Sequence, residues 1–180
     1  MVLSCEQLKT IKLPKTYGKT KDYKNISVIG LEFGMASFCY SFDTIILDSG
    51  NPYVKLENDV LYSADGSYLI CYPTAKKDTS YIAPSSLRII GGGAISHNLY
   101  LKEIVLNEGL RVIDSWGIDG CSNVEKVTLP STLEIIGQFV LCGMKIKTLH
   151  IPCDLESLGT TSFTDNRELE TITTDSGLAR

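Results

Sequence analysis

The chain repeats itself with a period of roughly 23 residues, and that period constrains the fold more than any other feature. Leu-Arg-Ile-Ile-Gly at 87–91, Leu-Arg-Val-Ile-Asp at 110–114, Leu-Glu-Ile-Ile-Gly at 133–137 and Leu-Glu-Ser-Leu-Gly at 155–159 recur at near-equal steps, the last a single residue shorter. An apolar triplet follows each segment at a fixed offset, again a single residue shorter in one repeat: Leu101/Ile104/Leu106, Val124/Val127/Leu129, Ile146/Leu149/Ile151 and Leu169/Ile172/Thr174. The last two members of a triplet are two apart and share one face of an extended strand. Between segment and triplet a small residue precedes a large one, as in Ala94/Ile95, Gly117/Ile118, Val140/Leu141 and Ser162/Phe163. One unit alone leaves its apolar face in water. Stacking units at the strand spacing of ~4.8 Å buries those faces in columns, so a period of this length specifies a solenoid.

Carried towards the N-terminus, the register finds Ile26-Ser-Val-Ile-Gly30, then Phe42/Ile45/Leu47 after Cys39, and a first triplet Leu8/Ile11/Leu13. The expectation is a mainly-β solenoid of about six repeats, each of roughly 22–23 residues, forming a single domain over 1–180. Its repeat strands are expected near 8–13, 42–47, 101–106, 124–129, 146–151 and 169–174. The clearest core column is Ile29/Ile90/Ile113/Ile136/Leu158, and Pro14, Pro130 and Pro152 end three of the strands.

One interval breaks the period. The step from Ile45 to Ile104 is far longer than one repeat, which predicts an insertion of about 36 residues at about 48–82 once the period is subtracted. Within it Asp65-Gly66 lies between two apolar-aromatic runs, a hairpin signal with strands at 60–63 and 68–72. Tyr53, Tyr62, Tyr68, Tyr72 and Tyr81 concentrate here, either sealing the hairpin against the solenoid or forming an aromatic recognition patch.

Composition narrows the partners. A net charge of −4 and a pI near 5.2 disfavour sequence-independent phosphate binding, so no nucleic-acid partner is expected. The lysines at 9, 12, 15, 19, 21 and 24 read as a solvated loop. No apolar run approaches the ~18 residues of a membrane span, and the N-terminus lacks the layout of a signal peptide. Because the chain starts midway through a unit, Met1 is expected to begin a fragment. Its uncapped ends predict fraying at 1–8 and 175–180 or end-to-end self-association.

The six cysteines follow the repeat. Cys5, Cys39 and Cys121 sit three residues before a triplet, where other repeats carry Asn98, Gly143 and Asn166. That slot suits a small packed residue, and stacked neighbours such as Cys5 and Cys39 are within reach of a bridge if oxidised. No C-x-x-C pair, P-loop or dinucleotide fingerprint occurs, so neither metal nor cofactor is expected.

With the period, the turn cysteine, the L-x-x-I-x-I-P strand and the insert in hand, the chain resembles the BspA-type (Treponema-type) leucine-rich repeats. "LRVIDSWGIDGCSNVEKVTLP" at 110–130 and "LEIIGQFVLCGMKIKTLHIP" at 133–152 carry the likeness, together with the inserted "VLYSADGSYLICYP". The small–large pair is degenerate, and one repeat is a residue short near Cys142. The resemblance implies a right-handed leucine-rich-repeat coil in a non-enzymatic, surface-displayed or secreted protein. It also implies adhesion to a protein partner, such as a host surface or matrix protein.

On each triplet strand the residues flanking the central apolar one point outward. Thr10, Thr44, Glu103, Lys126, Thr148 and Thr171 form one column, and Lys12, Ile46, Val105, Thr128, His150 and Thr173 the other. These twelve are the candidate partner-binding face, although exposed strands favour Thr by propensity alone. Glu103 and Lys126 are expected to pair across the column. The alternatives are a structural spacer in an extracellular protein and a β-helix carbohydrate-active enzyme. The columns hold one Glu, two Lys and one His over four coils, too dispersed for paired-carboxylate catalysis. His97 and His150 are both expected at the surface. Asn25-Ile26-Ser27 matches a glycosylation sequon, but Ile26 belongs to a repeat segment.

Overall fold

A computed structural model describes residues 5–19, 21, 38–152 and 154–175. The repeat copy at 26–30, the sequon at Asn25 and Cys153 lie outside the described residues. Sixteen short strands and no helix occur among the described residues. They begin with β1 (Thr10–Leu13), β2 (Thr44–Leu47), β3 (Val54–Glu57), β4 (Val60–Ser63), β5 (Tyr68–Cys71) and β6 (Ser80–Ile82). Next come β7 (Ile89–Ile90), β8 (Ile95–Ser96), β9 (Glu103–Val105), β10 (Val112–Ile113) and β11 (Ile118–Asp119). The chain closes with β12 (Lys126–Thr128), β13 (Ile135–Ile136), β14 (Thr148–Ile151), β15 (Ser157–Leu158) and β16 (Thr171–Thr174).

From residue 68 onward the strands stack as successive coils of a solenoid. Strands β5, β7, β10, β13 and β15 form a parallel run, with Leu69, Ile90, Ile113, Ile136 and Leu158 level with one another. The first four are wholly buried, whereas Leu158 on the last coil is 37% exposed. Strands β8 and β11 make a second wall, and β6, β9 and β12 a third. There the inward column is Tyr81, Ile104 and Val127, each buried. Ile95 and Ile118 on the second wall, with Leu141 on the following coil, fill the large-residue slot and are wholly buried. Each coil is tied to the next by main-chain hydrogen bonds, so every coil must present an apolar side chain at the same height.

The segment read as one insertion divides into two parts. Strands β3, β4 and β5 form an antiparallel meander. Its first turn places Asn58 and Asp59 at φ 51° and 62°, the paired left-handed geometry of a type I′ hairpin. In the second turn Asp65 accepts hydrogen bonds from the Ser67 amide (3.0 Å) and the Ser63 hydroxyl (2.6 Å). Strand β5 then joins the parallel sheet, and 68–84 is itself a coil. Tyr72 donates its amide to Ala94 as Ile95 does to Gly117, and Tyr81 lies level with Ile104. Tyrosines in the Ile slots, and a shortened step from Tyr68 on β5 to Ile89 on β7, hide this coil from a search for Leu and Ile.

All four residues of β4 are buried because both faces are covered. Val60 and Tyr62 pack into the solenoid core with Leu69, Tyr72 and Tyr81. Leu61 faces a second cluster with Leu13, Phe42, Ile45, Val54 and Cys71. Tyr62, Tyr68, Tyr72 and Tyr81 are buried, so these tyrosines serve as core residues and not as an open aromatic patch.

The short repeat also shifts one assignment. Cys142 bridges Asp119, and the Met144 amide donates to Asn166 Oδ1 at 2.7 Å. Met144, not Gly143, therefore fills the slot of Cys121, and the missing residue falls after it. One consequence is a break in the third wall. The Lys145 amide reaches Val124 O at 2.9 Å, but β12 and β14 form no ladder, and β14 pairs only with β16.

Coil contacts are closest at the glycine column. A Cβ on Gly137 would lie 2.9 Å from the Asp114 carbonyl carbon and from Ser115 Cα, where only backbone could give way. Gly143, at φ +66°, has only Gly120 Cα within reach, at 3.7 Å. Gly137→Ala is expected to destabilise the protein by about 1–3 kcal/mol through overpacking. Gly143→Ala should cost on the order of 1 kcal/mol through the left-handed backbone alone. Denaturant titration of both variants checks the order.

Candidate binding surface

The ladders bring the outward residues together in pairs. Thr10 sits beside Thr44 and Lys12 beside Ile46. Glu103 lies beside Lys126 and Val105 beside Thr128, while Thr148 and His150 lie beside Thr171 and Thr173. Ten of the twelve are exposed, and Glu103 and Val105 are half-buried. They do not form one continuous sheet: β1–β2, β6–β9–β12 and β14–β16 are separate blocks. Ser80 and Ile82 extend the two columns on β6 and were missed because Tyr81 between them is not an Ile. Ile82 is the most exposed large hydrophobic residue among those described, at 72%.

Polar contacts on this face are local. Lys126 Nζ meets Glu103 Oε1 at 2.8 Å, an exposed pair contributing under ~1 kcal/mol. His150 Nδ1 lies 2.9 Å from Thr173 Oγ1, and its Nε2 lies 3.4 Å from Asp175 Oδ1. A hydroxyl, an imidazole and a carboxylate in a row are the parts of a nucleophilic relay. Here the imidazole side chain is 53% exposed, so the row is a solvated patch without the desolvation that sharpens such chemistry. A groove of about 580 Å³ beside the start of β14 is lined by Glu125, Lys145, Lys147, Thr148 and Glu168.

Elsewhere the reactive side chains are held quiet. Burial pushes the Cys71 and Cys121 thiols up to about 12, which keeps them protonated at neutral pH. Cys142 is also raised by burial. The Cys5 amide donates to the Cys39 sulfur at 3.4 Å, so the two lie on stacked coils. Asn98 replaces the slot cysteine with four hydrogen bonds: Nδ2 donates to Pro73 O and Lys76 O, and Oδ1 accepts from the amides of Tyr100 and Leu101. His97 departs from its expected surface position. It is half-buried against Phe38, with ring centroids 4.2 Å apart, and burial lowers its pKa. No three His, Cys, Asp or Glu side chains among the described residues gather closely enough to hold a metal ion. Nor is any helix of the described residues long and apolar enough to cross a membrane.

Compared with known families, residues 71–180 match the BspA type leucine rich repeat region in six copies. The chain belongs to the BspA-type leucine-rich repeat family. No curated protein matches it. Among solved structures it is similar to the pneumococcal vaccine antigen PcpA, with a TM-score of 0.76 and 25% identity over 93% of this chain. A leucine-rich cell surface protein from Faecalibacterium prausnitzii gives 0.59 and 17% over 78%. A leucine-rich repeat protein from Eubacterium ventriosum gives 0.58 and 19% over 92%. The last two share the fold alone. This chain spans 39%, 44% and 48% of those three chains respectively.

Asp119 supplies a pH signature beside the broken wall. Burial holds its carboxyl up at about 6, the Gly120 backbone hydrogen bond opposes the shift, and the Asp165 charge adds to it. The unfolded chain loses that proton near 3.8, so between the two values the folded protein keeps a proton the unfolded one has released. Its stabilisation is complete below 3.8 and is lost as pH rises through about 6. Asp119→Asn should therefore exceed the parent by on the order of 1–3 kcal/mol above that window. Denaturant titrations at acid and neutral pH would show the gap closing on acidification.

Proposed function

We propose that this chain is a non-enzymatic protein-binding module of a cell-surface or secreted leucine-rich-repeat protein, engaging a partner protein through the outward columns. The observation that carries this reading is the exposed strand face itself. The fold spends its apolar residues on the inward columns and leaves Lys126, Thr128, Thr148, His150, Thr171 and Thr173 in water on rigid strands. A rigid scaffold presenting mixed polar side chains loses little entropy when a protein docks on it. The family and the vaccine-antigen and cell-surface descriptions of two structural neighbours support a surface location; adhesion to host surface or matrix proteins is the finer part of the proposal. One observation favours a structural spacer instead: the Thr-rich columns have the composition that β-propensity alone selects on an exposed sheet.

The test is adhesion of the labelled chain to surfaces coated with extracellular matrix proteins and to host cells. Replacing Val105, Lys126 and His150 together with serine is expected to reduce retention about tenfold or more, a loss of at least ~1.4 kcal/mol, while the melting temperature holds. Unchanged adhesion to every coated surface would leave the spacer reading standing.

The last coil adds a subsidiary proposal. Leu158 and Ile172 are 37% and 42% exposed, although their column-mates on inner coils are buried. A further coil stacked on this one, from the same protein or from a second copy, would cover them. Concentration-dependent sedimentation that disappears in a Leu158→Lys, Ile172→Lys variant is the expected result, and a strict monomer at all concentrations would oppose it.

A further inference from the structure

The third wall begins at β6, and its outer edge is open. Strand β6 pairs with β9 alone, in parallel register, with Ser80 beside Glu103, Tyr81 beside Ile104 and Ile82 beside Val105. A parallel ladder takes the main-chain groups of alternate residues. Here Thr79 O receives the Glu103 amide at 3.2 Å, and Ala83 N–H donates to Val105 O at 2.9 Å. Thr79, Tyr81 and Ala83 therefore face β9, and the amides and carbonyls of Ser80 and Ile82 face outward. No described residue hydrogen-bonds to those outward groups.

Beside this edge is a cleft of about 230 Å³, bounded by the β3–β4 turn and lined by Ser80, Tyr81, Ile82, Glu57, Asn58 and Tyr62, among others. Its floor is aromatic: the hydroxyls of Tyr62 and Tyr81 are 3.2 Å apart, and Tyr72 Oη donates to Asp78 Oδ2 at 3.4 Å. Burial raises the pKa of all three phenols and keeps them neutral. Lys76 Nζ is held by Asp78 at 3.2 Å and Asp59 at 3.6 Å, and Glu57 is paired with Lys55 at 3.3 Å. Of the charged side chains lining the cleft, Glu57 and Asp78 outnumber Lys76, leaving an excess of one negative charge. At the mouth stands Ile82, 72% exposed.

Exposed sheet edges with an apolar residue recruit further strands, and proteins that need no such partner shield them with charge or proline. Ser80 and Ile82 themselves carry neither shield; Pro84 and the charged Glu57, Lys76 and Asp78 line the cleft beside them. We propose that the β6 edge is a strand-addition site for an extended basic peptide segment, whose main chain pairs with Ser80 and Ile82. One of its Lys or Arg side chains enters the tyrosine-floored cleft, and an apolar neighbour covers Ile82. Backbone pairing supplies affinity, and the alternating pockets supply selectivity. Ser80 and Ile82 also extend the outward columns, but this site is read through their main chain, whereas docking on that face is tested at Val105, Lys126 and His150, so the two outcomes are distinguishable.

The experiment uses the full chain and a fluorescein-labelled heptapeptide of alternating valine and lysine, read by fluorescence anisotropy and amide hydrogen exchange. Two control peptides carry glutamate for lysine or N-methyl groups on every backbone amide. Binding below about 1 mM is expected, with the Ser80 and Ile82 amides slowed about tenfold or more and both controls weaker by about tenfold. Ile82→Pro removes an outward donor without touching the β9 ladder and should abolish the slowing at that edge. Ile82→Ser, which keeps the backbone, should weaken binding severalfold if the proline variant folds poorly. No binding at about 1 mM, N-methylated peptides binding as well as the parent, or unchanged exchange at Ser80 and Ile82 overturns the proposal.

Discussion

From residue 68 onward, every coil depends on the parallel main-chain ladder that joins it to the next. The ladder fixes the height at which side chains enter the interior, and Leu69, Ile90, Ile113 and Ile136 meet there because their backbones are already in register. No coil has a core of its own. Burying one of these residues fully contributes roughly 1.5–3 kcal/mol, but only if the neighbouring coils supply the surface that covers it. The repeat sequence is the record of that mutual dependence.

The same constraint explains what is rigid and what varies. At the glycine column successive backbones approach so closely that a side chain at Gly137 has no room. Away from it, substitutions are absorbed. The turn slot takes Cys39, Asn98, Cys121, Met144 or Asn166, and the two asparagines replace sulfur packing with side-chain hydrogen bonds to neighbouring carbonyls. At one corner Trp116 and Phe139 adopt left-handed backbones at φ 57° and 54°, with their rings stacked 5.2 Å apart. Contact between adjacent coils thereby offsets a conformation that bulky residues disfavour.

Periodicity made the solenoid and its outward columns legible, because alternation on a strand is dictated by geometry. Three things were not legible, each for a physical reason. Tyr72 and Tyr81 occupy aliphatic slots, so the coil at 68–84 does not announce itself by composition. Val60, Leu61 and Tyr62 run without alternation, which signals cover on both faces of β4 but not that the two covers are separate clusters. Finally, a missing residue could be counted near Cys142, but only the hydrogen bonds show that Met144 takes the turn slot and that the third wall parts there. The outward face is consequently three short blocks, a grouping that the sequence columns do not reveal.

Strand β4 is the wall between two apolar bodies, with Val60 and Tyr62 belonging to one and Leu61 to the other. A wall shared in this way turns two adjacent cores into one cooperative unit. If the N-terminal body melts, Leu61 and Cys71 are bared; if the solenoid opens, Tyr62 and Leu69 are bared. Each event strips apolar cover from the same meander. Repeat arrays often unravel coil by coil from their ends, and the meander is a rivet against that progression.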